Sequence, residues 1–371
     1  MLLFGLCSAI LTLPSVSMPP RADDTAFLAI LAETHQMRMA GMKLIKMPAL
    51  PPGVKLPAGI SIPGQVKRSL TVRLWSPSIA PDSATASLAV PAGLQLGDKL
   101  DLELYRPTAQ ENAGQTGGPG AGSAPQDFTI KIYWGSSATV QAGQPKIIKL
   151  GDLTADQMME MSKRAKESSP MRGQNNGGSY FYKPNWTTGH WPGANGGGDI
   201  QEGASLTGSY KLSTNYTGNV DIDVPSSVDF LPPIDISNPD LSNKVPLDQA
   251  LDFKWSSLSN ALGINASILG MVGQNTMIVW SCSESYTNSL MANTDYMQMA
   301  DVKQSVADKL FLDPSATGMT VPAGIFADAD FVTMTMVAYG TGTAVDKAQP
   351  IPRVQTKSTL QVVLGGKKMK K

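Results

Sequence analysis

The chain has 371 residues, and its 30 Lys and Arg are balanced by 30 Asp and Glu, so the formal net charge is zero. Only 16% of the residues are charged, which argues against a nucleic-acid partner, because phosphates are bound by clustered Lys and Arg. A hydrophobic content of 42% excludes a wholly disordered chain, and two His and two Cys leave few groups for metal binding or nucleophilic catalysis.

Residues 1–17 are expected to be a secretory signal or, alternatively, an N-terminal docking segment. The run 1–13 carries no charge, and Ser15-Val16-Ser17 offers a small-x-small cleavage site. The run is shorter than the roughly 20 apolar residues that cross a bilayer, and no other stretch is long and apolar enough, so no transmembrane span is predicted. Export would place the protein at the cell surface or outside the cell.

Removal of that leader would leave Cys282 without a second cysteine in the chain, so no intrachain disulfide could form. Cys282 lies in an alternating apolar run, MIVWSCSES, which predicts a buried thiol on a strand. The fold must then be stabilised by core burial, by ions or by partner chains.

Residues 18–65 are predicted to form a helix followed by a stiff, Pro-rich arm. The helix would extend over residues 23–46, with Phe27, Ile30 and Leu31 on its apolar face. An amphipathic helix on a stiff arm can fold back on its own chain or dock on a neighbouring copy. These three residues are therefore candidate subunit contacts.

Residues 66–150 predict a first β-sandwich. Its runs alternate apolar and polar residues, as where Leu100, Leu102 and Leu104 share one side, and this period of two marks a sheet with one buried face. The sequence of residues 107–126 contains only Gly, Ala, Pro and polar residues, which predicts a long loop.

Residues 151–203 predict a helix and a connector rich in Gly and aromatic residues. Thr154 and Gln157 resemble a capping box at the start of the helix. The aromatic rings of the connector can stack on sugars, can insert into a groove of an adjacent subunit, or can pack within their own chain. The candidate contact residues of this loop are Tyr180, Tyr182, Trp186 and Trp191.

Residues 204–365 predict a second β-sandwich, with strands in 204–232 leading into it. A helical insert is expected near 299–312, and residues 366–371 form a basic tail. The overall expectation is a mainly β protein with two sandwich domains, an N-terminal helix and arm, and small helical inserts.

A repeated signature links the two predicted sandwiches. Residues 90–94 (VPAGL) and 321–325 (VPAGI) each contain Pro-x-Gly, and each precedes an alternating run. Pro and Gly suit a tight corner where the chain passes from one sheet of a sandwich to the other. The repeat therefore indicates two related domains.

The second predicted sandwich resembles the fibronectin type III and immunoglobulin-like domains of exported cell-surface proteins. The resemblance rests on the run Leu251 to Trp255, the corner and long strand from Val321 to Tyr339, and the run Val354 to Leu364. It implies that Trp255 lies between two sheets and that the last run is a closing edge strand. The helical insert and the lack of a cysteine pair depart from the family pattern.

No motif of a hydrolase, a zinc site or a nucleotide-binding loop is present, and no catalytic or cofactor residue is predicted. Two acid pairs, Asp221 with Asp223 and Asp328 with Asp330, could contribute ligands to a calcium site, although solvated strand acids explain them more simply. A glycosidase needs only two carboxylates at a suitable separation and is kept as the lowest-ranked alternative.

These observations lead to the hypothesis of a non-enzymatic, exported structural protein that forms a filament, sheath or surface layer from copies of itself. Low charge and 19 methionines favour contact with neighbouring subunits. The alternative is an adhesive or carbohydrate-binding surface module that uses the aromatic loop, residues 180–191, on a cell-surface glycan.

Overall fold

The computed structural model describes residues 27–43, 64–77, 79–106, 127–154, 157, 186–193, 198–287, 295–343 and 354–367. Within these residues the chain is mainly β, as predicted, and its strands form three sheets. The predictions for residues 1–17, for the Pro-rich arm, for the loop 107–126 and for most of the basic tail fall outside the described residues.

The described chain contains eighteen strands and one α-helix, α1, at Met299–Ala307. The strands, in chain order, are β1 (Phe27–Met39), β2 (Val66–Ser76), β3 (Ala86–Ala89), β4 (Lys99–Asp101), β5 (Glu103–Tyr105), β6 (Thr129–Trp134), β7 (Lys146–Lys149), β8 (Thr187–Trp191), β9 (Asp199–Ile200), β10 (Gly208–Thr214), β11 (Val220–Val224), β12 (Ile236–Asn238), β13 (Leu251–Trp255), β14 (Ala261–Val272), β15 (Thr276–Ser281), β16 (Gly318–Val321), β17 (Phe331–Gly340) and β18 (Val354–Gly365).

Eleven of the strands form one continuous sheet, called here the long sheet. Its order is β5-β8-β2-β1-β18-β17-β14-β15-β6-β7, and β9 also pairs with β2. The pairs β1 with β18 and β6 with β15 are parallel, and the other pairs are antiparallel. The middle of the sheet is thus built from strands at opposite ends of the chain.

Two small sheets cover one face of the long sheet and enclose two cores. The four-stranded sheet, β11-β10-β3-β4, packs on the half around β1 and β2, where Ile30, Val72 and Tyr210 are fully buried. The three-stranded sheet, β12-β13-β16, packs on the half around β14 and β17, where Phe253 and Met336 are fully buried. Within the described residues, each small sheet therefore encloses one core against its own half of the long sheet.

This arrangement does not confirm the predicted division into a first sandwich at 66–150 and a second at 204–365. Strands β6 and β7, from the first range, belong to the half of the long sheet that contains β14 and β17. Strand β10, from the second range, pairs with β3. Each core therefore draws on both parts of the sequence.

The helix predicted over residues 23–46 is wrong where the structure describes it, because residues 27–39 form strand β1. This strand pairs with β2 on one side and with β18 on the other, over ten residues each. A central strand that is covered on both faces reads as a continuous apolar run, which is easily mistaken for a helix. Pairing on both sides overrides the helix propensity of its Ala, Leu and Met residues.

The closing edge strand expected at Val354 to Leu364 is also wrong in its position. This segment is β18, which lies between β17 and β1 near the middle of the long sheet. Its edge position was expected because no local pattern in residues 354–364 indicates that the N-terminal strand β1 continues the sheet beyond it.

Several local predictions are confirmed. Trp255 is buried between the three-stranded sheet and the long sheet. Helix α1 lies within the predicted insert and buries Val302. The capping box is present, since the Thr154 N–H donates to Gln157 Oε1 at 2.9 Å and the Gln157 N–H donates to Thr154 Oγ1 at 3.3 Å. The rest of that predicted helix lies outside the described residues.

The two Pro-x-Gly corners differ in what they connect. The second, after β16, takes the chain from the three-stranded sheet into β17 of the long sheet, as expected. The first joins β3 to β4 within the same small sheet, and the chain enters the long sheet only at β5. Both corners bury an apolar residue, Leu94 in one and Ile325 in the other.

Candidate functional site

The predicted subunit contacts on β1 pack against their own chain. Ile30 is fully buried in the core beneath the four-stranded sheet. Leu31 is buried on the opposite face of the long sheet beside Trp75, and Phe27 is partly buried there. Because side chains alternate along a strand, the three residues divide between two faces and do not form the single apolar face that a helix would give.

The described residues of the aromatic loop also contact their own chain. The ring of Trp186 stacks on Phe27 with 5.8 Å between ring centroids. Trp191 lies in β8 and packs, partly buried, against the core beneath the four-stranded sheet. Tyr180 and Tyr182 lie outside the described residues. The two tryptophans therefore form no exposed aromatic platform for a sugar.

The second face of the long sheet, opposite the two cores, carries charged side chains on the half formed by β5, β8, β2, β1 and β18. Glu33 of β1 lies opposite Lys357 of β18. On neighbouring strands Arg73 lies opposite His190, and His190 lies opposite Glu103. Cross-strand partners share a face, and Arg73 lies opposite Ala29, which is four residues from Glu33 on β1, so all five side chains point to the same side. This group, with His35 and the overlying Asp295 and Tyr296, is called here the charged face.

The central ion pair of the charged face is largely excluded from water. Lys357 Nζ lies 3.3 Å from Glu33 Oε2, and the exposed fractions of the two side chains are 7% and 22%. The same ammonium lies 4.4 Å from the centre of the Tyr296 ring, which is within range of a cation–π contact. The charge of Lys357 is therefore balanced by a carboxylate and covered by an aromatic ring.

Both histidines of the sequence lie on this face, and burial lowers the pKa of each. For His35, desolvation is the main cause, and the nearby Glu33 opposes it. For His190, desolvation again leads, and Glu103, whose Oε2 lies 3.8 Å from His190 Nε2, opposes it. Burial therefore favours the neutral form of both imidazoles.

Asp295 has the opposite shift, because burial raises its pKa to about 6, although Lys357 and Arg73 favour the charged form. Burial is also the main cause that lowers the pKa of Arg73 and raises that of Tyr296. A cluster of acids and bases with shifted pKa values is typical of active sites, but structural ion-pair networks produce the same shifts.

The geometry of the charged face fits a structural network better than a reaction centre. Lys357 is engaged by Glu33 and Tyr296 at the same time, so a substrate would have to displace the ring to reach the ammonium. A cavity of about 440 Å³ lies elsewhere and includes Ala40, Val245 and Leu364 in its lining. None of the charged-face residues lines that cavity.

The predicted acid pairs do not come together as a calcium site. Asp221 and Asp223 are exposed on β11, where Asp223 accepts a hydrogen bond from Ser209 at 2.5 Å. Asp328 binds Lys367 at 2.7 Å, and Asp330 accepts the Gly273 N–H at 3.1 Å. Among the described residues, no group of three His, Cys, Asp or Glu side chains could hold a metal ion.

The last strand of the long sheet, β7, exposes an edge. In the part of the chain that the structure describes, no strand pairs with β7 on its outer side. Leu150 N–H donates to Phe128 at 2.9 Å, in the same register that pairs β7 with β6. Because hydrogen-bonded pairs alternate along antiparallel strands, Ile147 and Lys149 direct their backbone groups toward the open edge.

The side chain at the centre of this edge is apolar. Ile147 is 50% exposed, the largest exposure among the large hydrophobic residues described. Lys146 and Lys149, the first and last residues of β7, are exposed. An open edge with an exposed apolar residue is a surface on which another strand can be added. This surface was not predicted from the sequence, because the run KIIK gives no sign of its place in a sheet.

No protein-family model matches the sequence, and no curated protein matches it. No helix in the described ranges combines the length and the apolar character needed to cross a membrane. A function for the chain therefore has to follow from its own residues and their placement.

Proposed function

We propose that this chain is a non-enzymatic structural protein that is exported and associates with copies of itself into a larger assembly. The observation that carries the proposal is the outer edge of β7, where Ile147 is half exposed and where no strand of the described ranges pairs with the outward backbone groups. Exposed sheet edges are the usual route by which β proteins associate.

The charged face supports a structural role in a second way. Its most buried charges, on Lys357 and Glu33, pair with each other, so they contribute to the fold and not to a reaction. Burying a charge costs free energy unless the charge has a partner. Here Glu33 and Lys357 are partners on the adjacent strands β1 and β18 of the long sheet.

The connecting surface differs from the one the sequence suggested. The N-terminal segment and the aromatic loop were the predicted connectors, but Ile30 and Trp186 are engaged within the chain. The β7 edge takes their place in the proposal. The carbohydrate-binding alternative is less favoured, because the described tryptophans pack against their own chain.

Sedimentation velocity of the purified chain over a wide concentration range, with electron microscopy of the same samples, tests self-association. We expect species larger than a monomer that increase with concentration. Ile147→Asp should reduce them, whereas Ile79→Asp should not, since Ile79 is similarly exposed, at 47%, but lies outside the strands. A wild-type chain that stays monomeric throughout the range would refute the proposal.

The export part of the proposal rests on the uncharged run of residues 1–13 and on its cleavage site. Export is tested by expressing the full chain in a bacterial host, fractionating the cells and sequencing the N-terminus of the recovered protein. Recovery outside the cytoplasm with a new N-terminus near residue 18 is expected, whereas an intact Met1 in the cytoplasm would contradict export.

A further inference from the structure

Two sheet edges of this molecule carry charges of opposite sign. The β7 edge presents Lys146 and Lys149. Strand β11, which ends the four-stranded sheet within the described residues, presents Asp221 and Asp223. The two strands have similar lengths, four and five residues. They are therefore complementary in charge and comparable in extent.

The acids of β11 are available on the outer side of its sheet. Ile222 and Val224 are buried in the core, so the alternating Asp221 and Asp223 point to solvent. Lys211 of β10 lies opposite Asp221 in the register, but the two form no ion pair. A neighbouring cation would therefore meet acids whose charge is not already balanced within the chain.

The lysines of β7 are equally available. Neither Lys146 nor Lys149 takes part in an ion pair within the described chain. Ile147 and Lys149 share one face of the strand, because they are two residues apart, and Lys131 of β6 lies opposite Ile147 on that same face. An added strand with acids on this side would lie beside Lys149, with Lys131 one strand further in, whereas an added basic strand would be repelled; Lys146 points to the opposite face.

Lysine on an edge strand usually prevents unselective pairing, because a second edge has to accommodate the charge. That argument excludes most partners but not one with acids at the matching positions. Charge complementarity of this kind selects a partner and its register. The acidic edge found on the same chain satisfies the condition.

Building on the proposed self-association, we infer that the β7 edge of one copy pairs with the β11 edge of a second copy, so that the long sheet of one molecule continues into the four-stranded sheet of the next. Two different surfaces meet in this contact. Such a heterologous contact repeats from copy to copy and gives a chain of subunits, or a ring if the rotation closes.

Charge reversal on each edge tests the inference. Lys146→Glu with Lys149→Glu makes both edges acidic, and Asp221→Lys with Asp223→Lys makes both edges basic. We expect each double variant to associate roughly tenfold or more weakly than the wild type in sedimentation velocity. The control for the lysine variant is Lys244→Glu with Lys303→Glu, which makes the same change in net charge as that variant at exposed positions off the two edges.

Mixing the two edge variants gives the decisive measurement. Each basic edge in the mixture has an acidic partner edge on the other variant, so association should return when the two are combined in equal amounts. All substituted residues are exposed, and circular dichroism will show whether each variant keeps the β structure of the wild type.

The outcomes separate this inference from the proposed function. If the wild type does not associate, self-assembly itself fails. If the wild type associates but the edge variants behave like the control, or their mixture does not recover, self-assembly stands and the β7–β11 pairing is refuted. The basic-edge variant could also associate with an unrelated acidic protein but not with the acidic-edge variant. That result would point to a partner other than a second copy and would also refute the pairing.

Discussion

The ion pair between Lys357 and Glu33 gives the sharpest test of the charged face. Lys357→Met keeps most of the aliphatic side chain but removes the ammonium that lies 4.4 Å from the centre of the Tyr296 ring, so the Glu33 carboxylate is left without its partner at 3.3 Å. Removing one member of a buried pair costs about 3–5 kcal/mol. Because Glu33 retains 22% exposure, we expect a loss near the lower limit, about 3 kcal/mol in the free energy of unfolding.

Denaturant unfolding followed by circular dichroism at pH 7 measures this loss. The matched control is Lys309→Met, which removes a lysine that pairs with Glu284 at 2.8 Å while both side chains remain largely exposed. We expect no measurable change in the control, because water and salt screen an exposed pair. The two lysines have comparable contact distances and differ mainly in burial.

The double variant Lys357→Met with Glu33→Gln separates charge from packing. Removal of the orphaned carboxylate should restore part of the lost stability, so the double variant should be more stable than Lys357→Met alone. Equal destabilisation in the single and double variants would mean that packing, and not the uncompensated charge, determines the loss. A single variant as stable as the Lys309→Met control would show that the charged face is open to solvent.

Three further predictions concern pH, packing and thiol chemistry. Burial lowers the pKa of His190, so the unfolded chain binds a proton there more readily and acidification from pH 7 to 5 reduces stability. Burial raises the pKa of Asp295 to about 6, so the folded chain binds a proton there more readily and this residue offsets part of the loss. In unfolding curves at the two pH values, His190→Gln should therefore reduce the acid loss and Asp295→Asn should increase it, and shifts of the opposite sign would refute these assignments. Gly263→Ala places a methyl group 2.6 Å from Val306 of α1 and should lower the free energy of unfolding by about 1–3 kcal/mol. The control Gly93→Ala, whose added methyl group has its nearest neighbour at 3.8 Å, should be close to neutral. Thermal melting that ranks the two variants in the other order would contradict the packing of α1 on the sheet. Cys282 is buried, and burial raises the pKa of its thiol to about 11. In a Cys7→Ser variant, a thiol reagent should therefore react slowly with the native protein and completely after unfolding. Rapid labelling of the native protein would show that the thiol is accessible.

The period-two pattern predicted those parts of the fold in which one face of a strand is buried. Strand β13 alternates buried Leu251, Phe253 and Trp255 with exposed residues, and its place in the core follows from that pattern. Strand β1 could not be identified in this way, because it is covered on both faces and its first residues are almost continuously buried. Local patterns therefore report burial reliably and report the type of element less well.

The charged face was beyond the reach of the sequence for a different reason. Its members Glu33, Arg73, His190 and Lys357 come from four strands, and only the pairing of those strands brings them together. One signal was present, since Glu33 and His35 are two residues apart and share a face if residues 27–39 form a strand. The helix prediction for that segment concealed the relation.

The interleaved topology also bears on when the two proposed association edges can form. Strand β7 ends the half of the long sheet that contains β14 and β17, whereas β11 belongs to the small sheet above the other half. The two halves meet at the seam of β1 and β18, where Thr34 donates to the Leu231 carbonyl at 2.6 Å and Thr356 to the Thr341 carbonyl at 2.8 Å. Because β1 and β18 lie near opposite ends of the described sequence, this seam closes only after nearly the whole chain has been made. A partly folded chain would lack the complete pair of edges, so association through β7 and β11 would select molecules in which both cores have formed.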